Sequence, residues 1–503
     1  MRELTPGFDN RLYLEEQSRE ILERVESCRG RLYLEFGGKL MYDYHAARVL
    51  PGYDPNVKIS LLERLRDRAE IVLCIYAGDI EKRKIRGDFG ITYDADALML
   101  IDGFRSRGIR LRGVVITRFE DQPSAVTFEN RLRRRGVEVF RHYYTKGYPT
   151  DVDLIVSREG YGRNDYVKPT KPLVVVTGPG PGSGKLATCL SQLYHDHRRG
   201  EQAGYAKFET FPIWNLPLSH PVNAAYEAAT ADLEDFNLVD PYHLEARGKT
   251  AINYNRDVDA FPLLRRILEK ITGEGSTYAS PTEMGVNRAG FGIIDDRVVR
   301  KAAEQEIIRR YFRYSCEYVM GLSERDTVQR VELLMDDYGL EPEDRPVVRP
   351  ARESLEGTAS NSGGESATAM ALMLRDGSVI TGRSSQLMRS PAAAVLNAIK
   401  KEAGISDGTH LLSPATIDSI RSLKKAVGSA PLQLDLEEVL VALSVNAASF
   451  PPALRGMEML PNLRDCQAHL THMPSSGDES GLRTLGVNAT SDPLFSSGRL
   501  YGN

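Results

Sequence analysis

Lys185 ends the run GPGPGSGK, which places four glycines in the seven residues from Gly178 to Gly184. The surrounding stretch, KPLVVVTGPGPGSGKLATCLSQLYHDHRR, reads as strand, glycine loop and helix. Leu173 to Thr177 is a short β-branched run of the kind that fills a parallel strand buried on both faces. Leu186, Leu190, Leu193 and Tyr194 then recur at helical spacing, an apolar stripe suited to lying on a sheet. A helix start exposes unpaired N–H groups and the positive end of the helix dipole, so a glycine loop entering it can wrap a phosphate.

The match to the P-loop pattern is incomplete, and the differences are chemical. That pattern wants glycine where this chain has Pro179 and a hydroxyl where it has Leu186, which cannot ligate Mg²⁺. Pro179 and Pro181 carry no N–H, so the backbone donors reduce to Gly180, Gly182, Ser183, Gly184 and Lys185. These suffice for one phosphate group. A nucleotide with Mg²⁺ is the cofactor such a loop suggests, with the metal weakened by Leu186. The dinucleotide fingerprint fails because Lys185 stands where its third glycine belongs, so no NAD signature is present. The competing reading makes the glycines a tight turn and Lys185 a solvated charge.

The elements that must position this loop alternate along the amino-terminal half. Strands are expected at 31–36, 70–76, 111–117 and 137–142, with helices at 11–27, 57–68, 93–107 and 123–135. Such alternation predicts an α/β fold with a doubly wound, mostly parallel, Rossmann-like sheet. Ligands in such sheets bind beyond the carboxyl ends of the strands. That rule nominates Gly37 to Lys39, Asp79, Arg118, Lys146 with Tyr148, and the loop itself. Asp79, after IVLCIYAG, is the candidate catalytic carboxylate or magnesium holder, with Asp240 a weaker second. Arg118 and Lys146 would add positive charge if both reach the same crevice. Asp88, Asp94 and Asp96 in GDFGITYDAD read as turn and cap residues. The proline-rich segment KFETFPIWNLPLSHP, which holds Trp214, suits either a pocket wall or core packing.

The domain reading is an α/β domain over 1–272, a helical subdomain over 273–340, a Pro, Ser and Gly-rich linker over 341–366, and a smaller α/β domain over 367–503. In the last, strand, turn, strand and helix from Thr368 to Ala403, with Ser390 placed to cap the helix, resemble the opening of the cytidine-deaminase-like fold. The helix begins Pro391, Ala392, Ala393 and no P-C-x-x-C follows, so zinc deaminase chemistry is excluded and a binding or assembly module remains. Cys466, His469 and His472 match no zinc spacing.

Composition limits the partners. With 41% hydrophobic and 27% charged residues the chain reads as an ordinary globular protein, and a net charge of −4 implies neither a nucleic-acid nor an anionic-membrane partner. Five scattered cysteines without a C-x-x-C pair fit a reducing compartment, and no signal peptide or membrane span is evident, so a cytoplasmic location is expected. The expected partner is a phosphorylated small molecule, with room for a homo-oligomer.

The stretches GFDNRLYLEEQ, LYLEFGGKL, YAGDIEKRKIRGDFGITYD, TKGYPTDVD, TGPGPGSGKLATCLSQLYH, KFETFPIWN and MGVNRAGF together resemble, nearly end to end, a bacterial family known only as a domain of unknown function. The resemblance implies architecture alone: an α/β amino-terminal portion, a helical part and a smaller α/β carboxyl-terminal domain. Function therefore has to come from the loop. The chain is read as an enzyme acting on a nucleotide or other phosphorylated metabolite, as a non-catalytic metabolite binder, or as an assembly protein.

Overall fold

A computed structural model describes residues 6–28, 30–86, 90–273, 275, 278–355, 367–428 and 431–497. Asp88 and most of the serine and glycine stretch before 367 lie outside the described residues. The chain divides into two compact units, one spanning Thr5–Thr230 and Asp235–Ala303, the other Ala231–Glu234 with Glu304–Asn503. The division falls inside a single helix, Asp296–Val319.

The first unit is built on six strands, β1 (Arg31–Phe36), β2 (Ala69–Tyr76), β3 (Leu111–Thr117), β4 (Val139–Arg141), β5 (Leu173–Thr177) and β6 (Ala203–Phe208). All neighbouring pairs run parallel, in the order β4-β3-β2-β5-β1-β6. β5 reads LVVVT because every residue of it is buried, as a central strand covered on both faces requires. Helices α1 (Asn10–Ser27), α2 (Val57–Leu65), α3 (Tyr93–Ser106), α4 (Pro123–Arg134), α5 (Lys185–Arg198) and α6 (Asn255–Thr272) accompany it. Cys189, Leu190 and Leu193 of α5, with Phe261, Leu264 and Ile267 of α6, pack on Tyr33, Val72, Val174, Val176 and Tyr205 of the sheet.

Strand order decides where a ligand can sit. The chain leaves β2 for β3 in one direction along the sheet and leaves β5 for β6 in the other, although β2 and β5 are neighbours. Their carboxyl ends therefore flank a topological switch point, where diverging loops leave a crevice. The glycine loop leaves β5 at that point.

The second unit holds a four-stranded sheet of β7 (Ala369–Met373), β8 (Val379–Arg383), β9 (Gln467–Leu470) and β10 (Asn488–Ser491), ordered β8-β7-β9-β10. β7 is antiparallel to β8 and β9, and β9 is parallel to β10. The helix Ser390–Glu402 covers β7 and β8 with Ala394, Val395 and Ile399 in the core. Its N-cap is Arg389 rather than Ser390. The Ser390 hydroxyl is instead engaged with Thr368 Oγ1 at 2.9 Å, which draws it away from the helix amides.

Candidate functional site

The loop is shaped by the sheet end beneath it. Gly184 takes φ of +88° as the residue before α5, and a Cβ there would lie 2.8 Å from Thr117 Cγ2, so only glycine fits. Thr117, the last residue of β3, donates its hydroxyl to the Ser183 carbonyl at 2.8 Å. The guanidinium of Arg118 donates to the Gly182 carbonyl and stacks on Tyr76, 3.4 Å from the ring centroid. Two loop carbonyls are held in this way.

The loop amides are unoccupied by protein. Among the described residues, the N–H groups of Gly180, Gly182, Ser183, Gly184, Lys185, Leu186 and Ala187 meet no protein acceptor, and the first bond of this helix start runs from Thr188 N–H to the Gly184 carbonyl at 3.0 Å. Lys185 folds back over the loop instead of extending into solvent. Its ammonium donates to the Gly180 carbonyl at 3.3 Å and to Ser183 Oγ at 3.4 Å. A cluster of N–H donors with an ammonium beside it is the arrangement that holds an oxyanion.

Asp79 is 8% exposed in the short helix Ala77–Glu81 that follows β2. Burial pushes its carboxyl above the usual range, against the charges of Lys84, Arg118 and Lys82, and Lys84 approaches to 3.9 Å. Asp79 thus shares its surroundings with Arg118 at the β2 and β3 ends. Lys146 is not brought to the loop: it pairs with Glu159 at 3.5 Å on the surface after β4. β4 is three strand spacings from β5, about 14 Å, which explains the separation.

The remaining sequence candidates have structural duties. Asp240 caps the helix Pro241–Arg247 through Tyr242 N–H and His243 N–H and accepts from Thr282 with its other oxygen. Asp96 is buried against Arg86 at 2.7 Å, and Asp94 lies in the first turn of α3. Asn287 donates to the carbonyls of Thr210 and Pro212, and its own carbonyl accepts from the Trp214 indole at 3.0 Å, so the proline-rich segment is pinned to the core of its unit. Among the described residues no group of three or more His, Cys, Asp or Glu side chains is arranged to hold a metal ion.

A second group of charges escapes sequence reasoning. Glu35 of β1 is registered with Val176 of β5 on one side and Lys207 of β6 on the other. The Lys207 ammonium contacts Glu209 at 3.0 Å and Asp257, in the first turn of α6, at 2.5 Å. Tyr205 donates its hydroxyl to Glu35 at 2.7 Å. Gly37 makes room for this group, since a Cβ there would lie 2.7 Å from Glu209 Cγ. Burial pushes the Glu209 carboxyl up to about 7, with Lys207 opposing. Burial alone would lower the Lys207 ammonium, but Asp257, Glu209 and Glu35 outweigh it and hold it above its usual range. The only signal in the sequence was a carboxylate inside an otherwise apolar strand, LYLEF.

The carboxyl end of the sheet therefore carries a cationic wall of loop amides, Lys185 and Arg118, and, on the strands beyond β5, an acidic floor of Glu35, Glu209 and Asp257 that Lys207 and Arg256 partly neutralise. Comparison with known proteins assigns no chemistry to it but does fix the lineage. The amino-terminal model of the domain of unknown function DUF1846 matches residues 6–339, and its carboxyl-terminal model matches residues 343–501. The chain belongs to the DUF1846 family. A UPF0371 protein of Clostridium botulinum (strain Langeland / NCTC 10281 / Type F) is 57% identical over 501 residues, covering 99% of each chain. A UPF0371 protein of Clostridium tetani (strain Massachusetts / E88) is 56% identical over 499 residues, again covering 99% of each. The recognition drawn from sequence stretches is thus borne out for this bacterial family.

Proposed function

We propose that the chain binds a phosphorylated small molecule or a nucleotide at the 178–185 loop, and that the crevice around it is the active site of a phosphate- or nucleotide-processing enzyme. The observation that carries this reading is the set of loop amides without protein acceptors, with Lys185 folded over them and Arg118 bracing the loop. Position supports it, because the loop leaves the sheet at its switch point. Asp79 is the carboxylate assigned to proton transfer at the cationic wall, supported by its burial and its raised protonation range. Thermal-shift screening against nucleotides and phosphorylated sugars, repeated on Lys185→Ala, tests the reading. A shift present in the parent and lost in the variant supports it, and flat traces for every ligand overturn it.

A second reading concerns the carboxyl-terminal domain, which we take as a deaminase-like module without zinc ligands that serves assembly, including self-association. Its support is the strand order β8-β7-β9-β10 and the exposed Leu423 of the helix Pro414–Ala426, Val427 just after it, and Val441 and Val445 of the neighbouring helix Leu436–Ala447, each more than 60% exposed. A cytoplasmic setting fits the five free thiols, and no described helix is long and apolar enough to cross a membrane.

A further inference from the structure

Three hydroxyls are stranded where the first helix meets the chain leaving β6. Tyr13 of α1, Tyr53, and Thr210 two residues past β6 are 0%, 3% and 4% exposed. Among the described residues, none of their hydroxyl oxygens has a hydrogen-bond partner. A buried hydroxyl without a partner destabilises the fold, and native chains rarely leave even one in that state.

These oxygens share one place. The rings of Tyr13 and Tyr53 lie 6.1 Å apart, and both pack on Phe8, at 5.6 and 5.3 Å between centroids, which fixes their directions. Burial raises both phenols far above their usual range, the Asp43 carboxylate pushes the same way, and the Thr210 hydroxyl opposes it on each. A threonine that acts on both phenols stands close to both, although it bonds to neither.

The neighbouring charges define what fits there. Asp43 is already engaged, with one oxygen on the Ala46 N–H at 3.2 Å and the other on the buried Lys58 ammonium at 2.7 Å. A further cation would be repelled by Lys58, and an anion by Asp43. An apolar occupant would leave the hydroxyls without partners. Each hydroxyl both donates and accepts, so the group that suits all three is neutral and does the same. Water meets that description, and a buried water typically makes about three hydrogen bonds.

We propose that a single internal water molecule, held by the hydroxyls of Tyr13, Tyr53 and Thr210, is a fixed constituent of the folded chain. It joins three segments far apart in sequence: α1, the segment after the helix Tyr44–Val49, and the chain leaving β6. Thr210 is also held by its carbonyl, which accepts from the Asn287 amide at 3.0 Å. The water thus pins α1 to the carboxyl end of the sheet, whatever the glycine loop binds.

A crystal structure of the full chain, at a resolution that shows ordered solvent, tests this directly. The expected result is one isolated solvent peak about 2.7 to 3.0 Å from all three hydroxyl oxygens. Hydroxyls bonded directly to one another, with no peak among them, overturn the proposal. Thermal melting of Tyr53→Phe and Thr210→Val gives an independent reading in solution. A bridged hydroxyl stabilises the fold, so each variant is expected to melt about 1 to 2 degrees below the parent. A hydroxyl buried without a partner does the reverse, and deleting it raises the melting temperature. Unchanged or raised melting in either variant overturns the proposal as well.

Discussion

Replacing Lys185 by alanine tests the cationic wall with little effect on the rest of the fold. The ammonium makes two long hydrogen bonds, 3.3 Å to the Gly180 carbonyl and 3.4 Å to Ser183 Oγ, at a partly exposed position. Losing them costs the unliganded chain about 0.5 kcal/mol, a melting shift of about one degree. A bound phosphate changes the balance. One unit of its charge about 4 Å from the ammonium, in an effective dielectric of about 20, is attracted by roughly 4 kcal/mol. Desolvation of both partners offsets about half, leaving about 2 kcal/mol, or about thirtyfold in affinity. Titration calorimetry with inorganic phosphate should show that loss in Lys185→Ala and partial retention in Lys185→Arg. An alanine variant that binds phosphate within about threefold of the parent, at an unchanged melting temperature, would refute the assignment of this ammonium to the site.

Gly184→Ala should be damaging even without ligand, because the added Cβ meets Thr117 and the positive φ is strained. We expect a loss of about 2 kcal/mol by urea unfolding, with Lys185→Ala nearly neutral in the same assay. The Glu209 carboxyl, raised to about 7, binds its proton more tightly in the folded chain than in the unfolded one. Stability therefore falls as pH rises from about 4.5 through about 7, and Glu209→Gln should flatten that slope and melt higher than the parent at pH 8. In the carboxyl-terminal unit, Arg345 is fully buried and donates to Thr490 Oγ1 at 3.0 Å and to the Asn488 carbonyl at 2.8 Å. Arg345→Ala strands those acceptors and should lower stability by about 3 kcal/mol, read as a reduced urea midpoint.

The chain announces its strands more clearly than its crevice, for a physical reason. A parallel strand buried on both faces must be apolar throughout, so LVVVT at β5 and the run ending in Tyr76 at β2 identify themselves locally. The glycine loop is equally local, because its turn and the helix after it are adjacent in sequence. Strand order is not local. Nothing in the spacing of Lys146 says that β4 lies at the sheet edge, three places from the loop, whereas Arg118 follows β3 and its guanidinium reaches Gly182. The acidic floor is further from view, since Glu35, Glu209 and Asp257 come from β1, the end of β6 and the start of α6. They meet only once β1 is seated between β5 and β6. Asp240 failed as a candidate for the opposite reason: a carboxylate just before a proline-initiated helix is first of all a cap, and its oxygens are used there.

The central claim is that backbone hydrogens between Gly180 and Ala187 surround a place for an oxyanion. Amide-resolved NMR of the full chain titrated with inorganic phosphate addresses it residue by residue. The account predicts that the largest shifts fall on Gly182, Ser183, Gly184 and Lys185, saturate together, and need about thirtyfold more phosphate in Lys185→Ala. Phosphate that leaves these four amides unmoved while shifting others on the surface would contradict it.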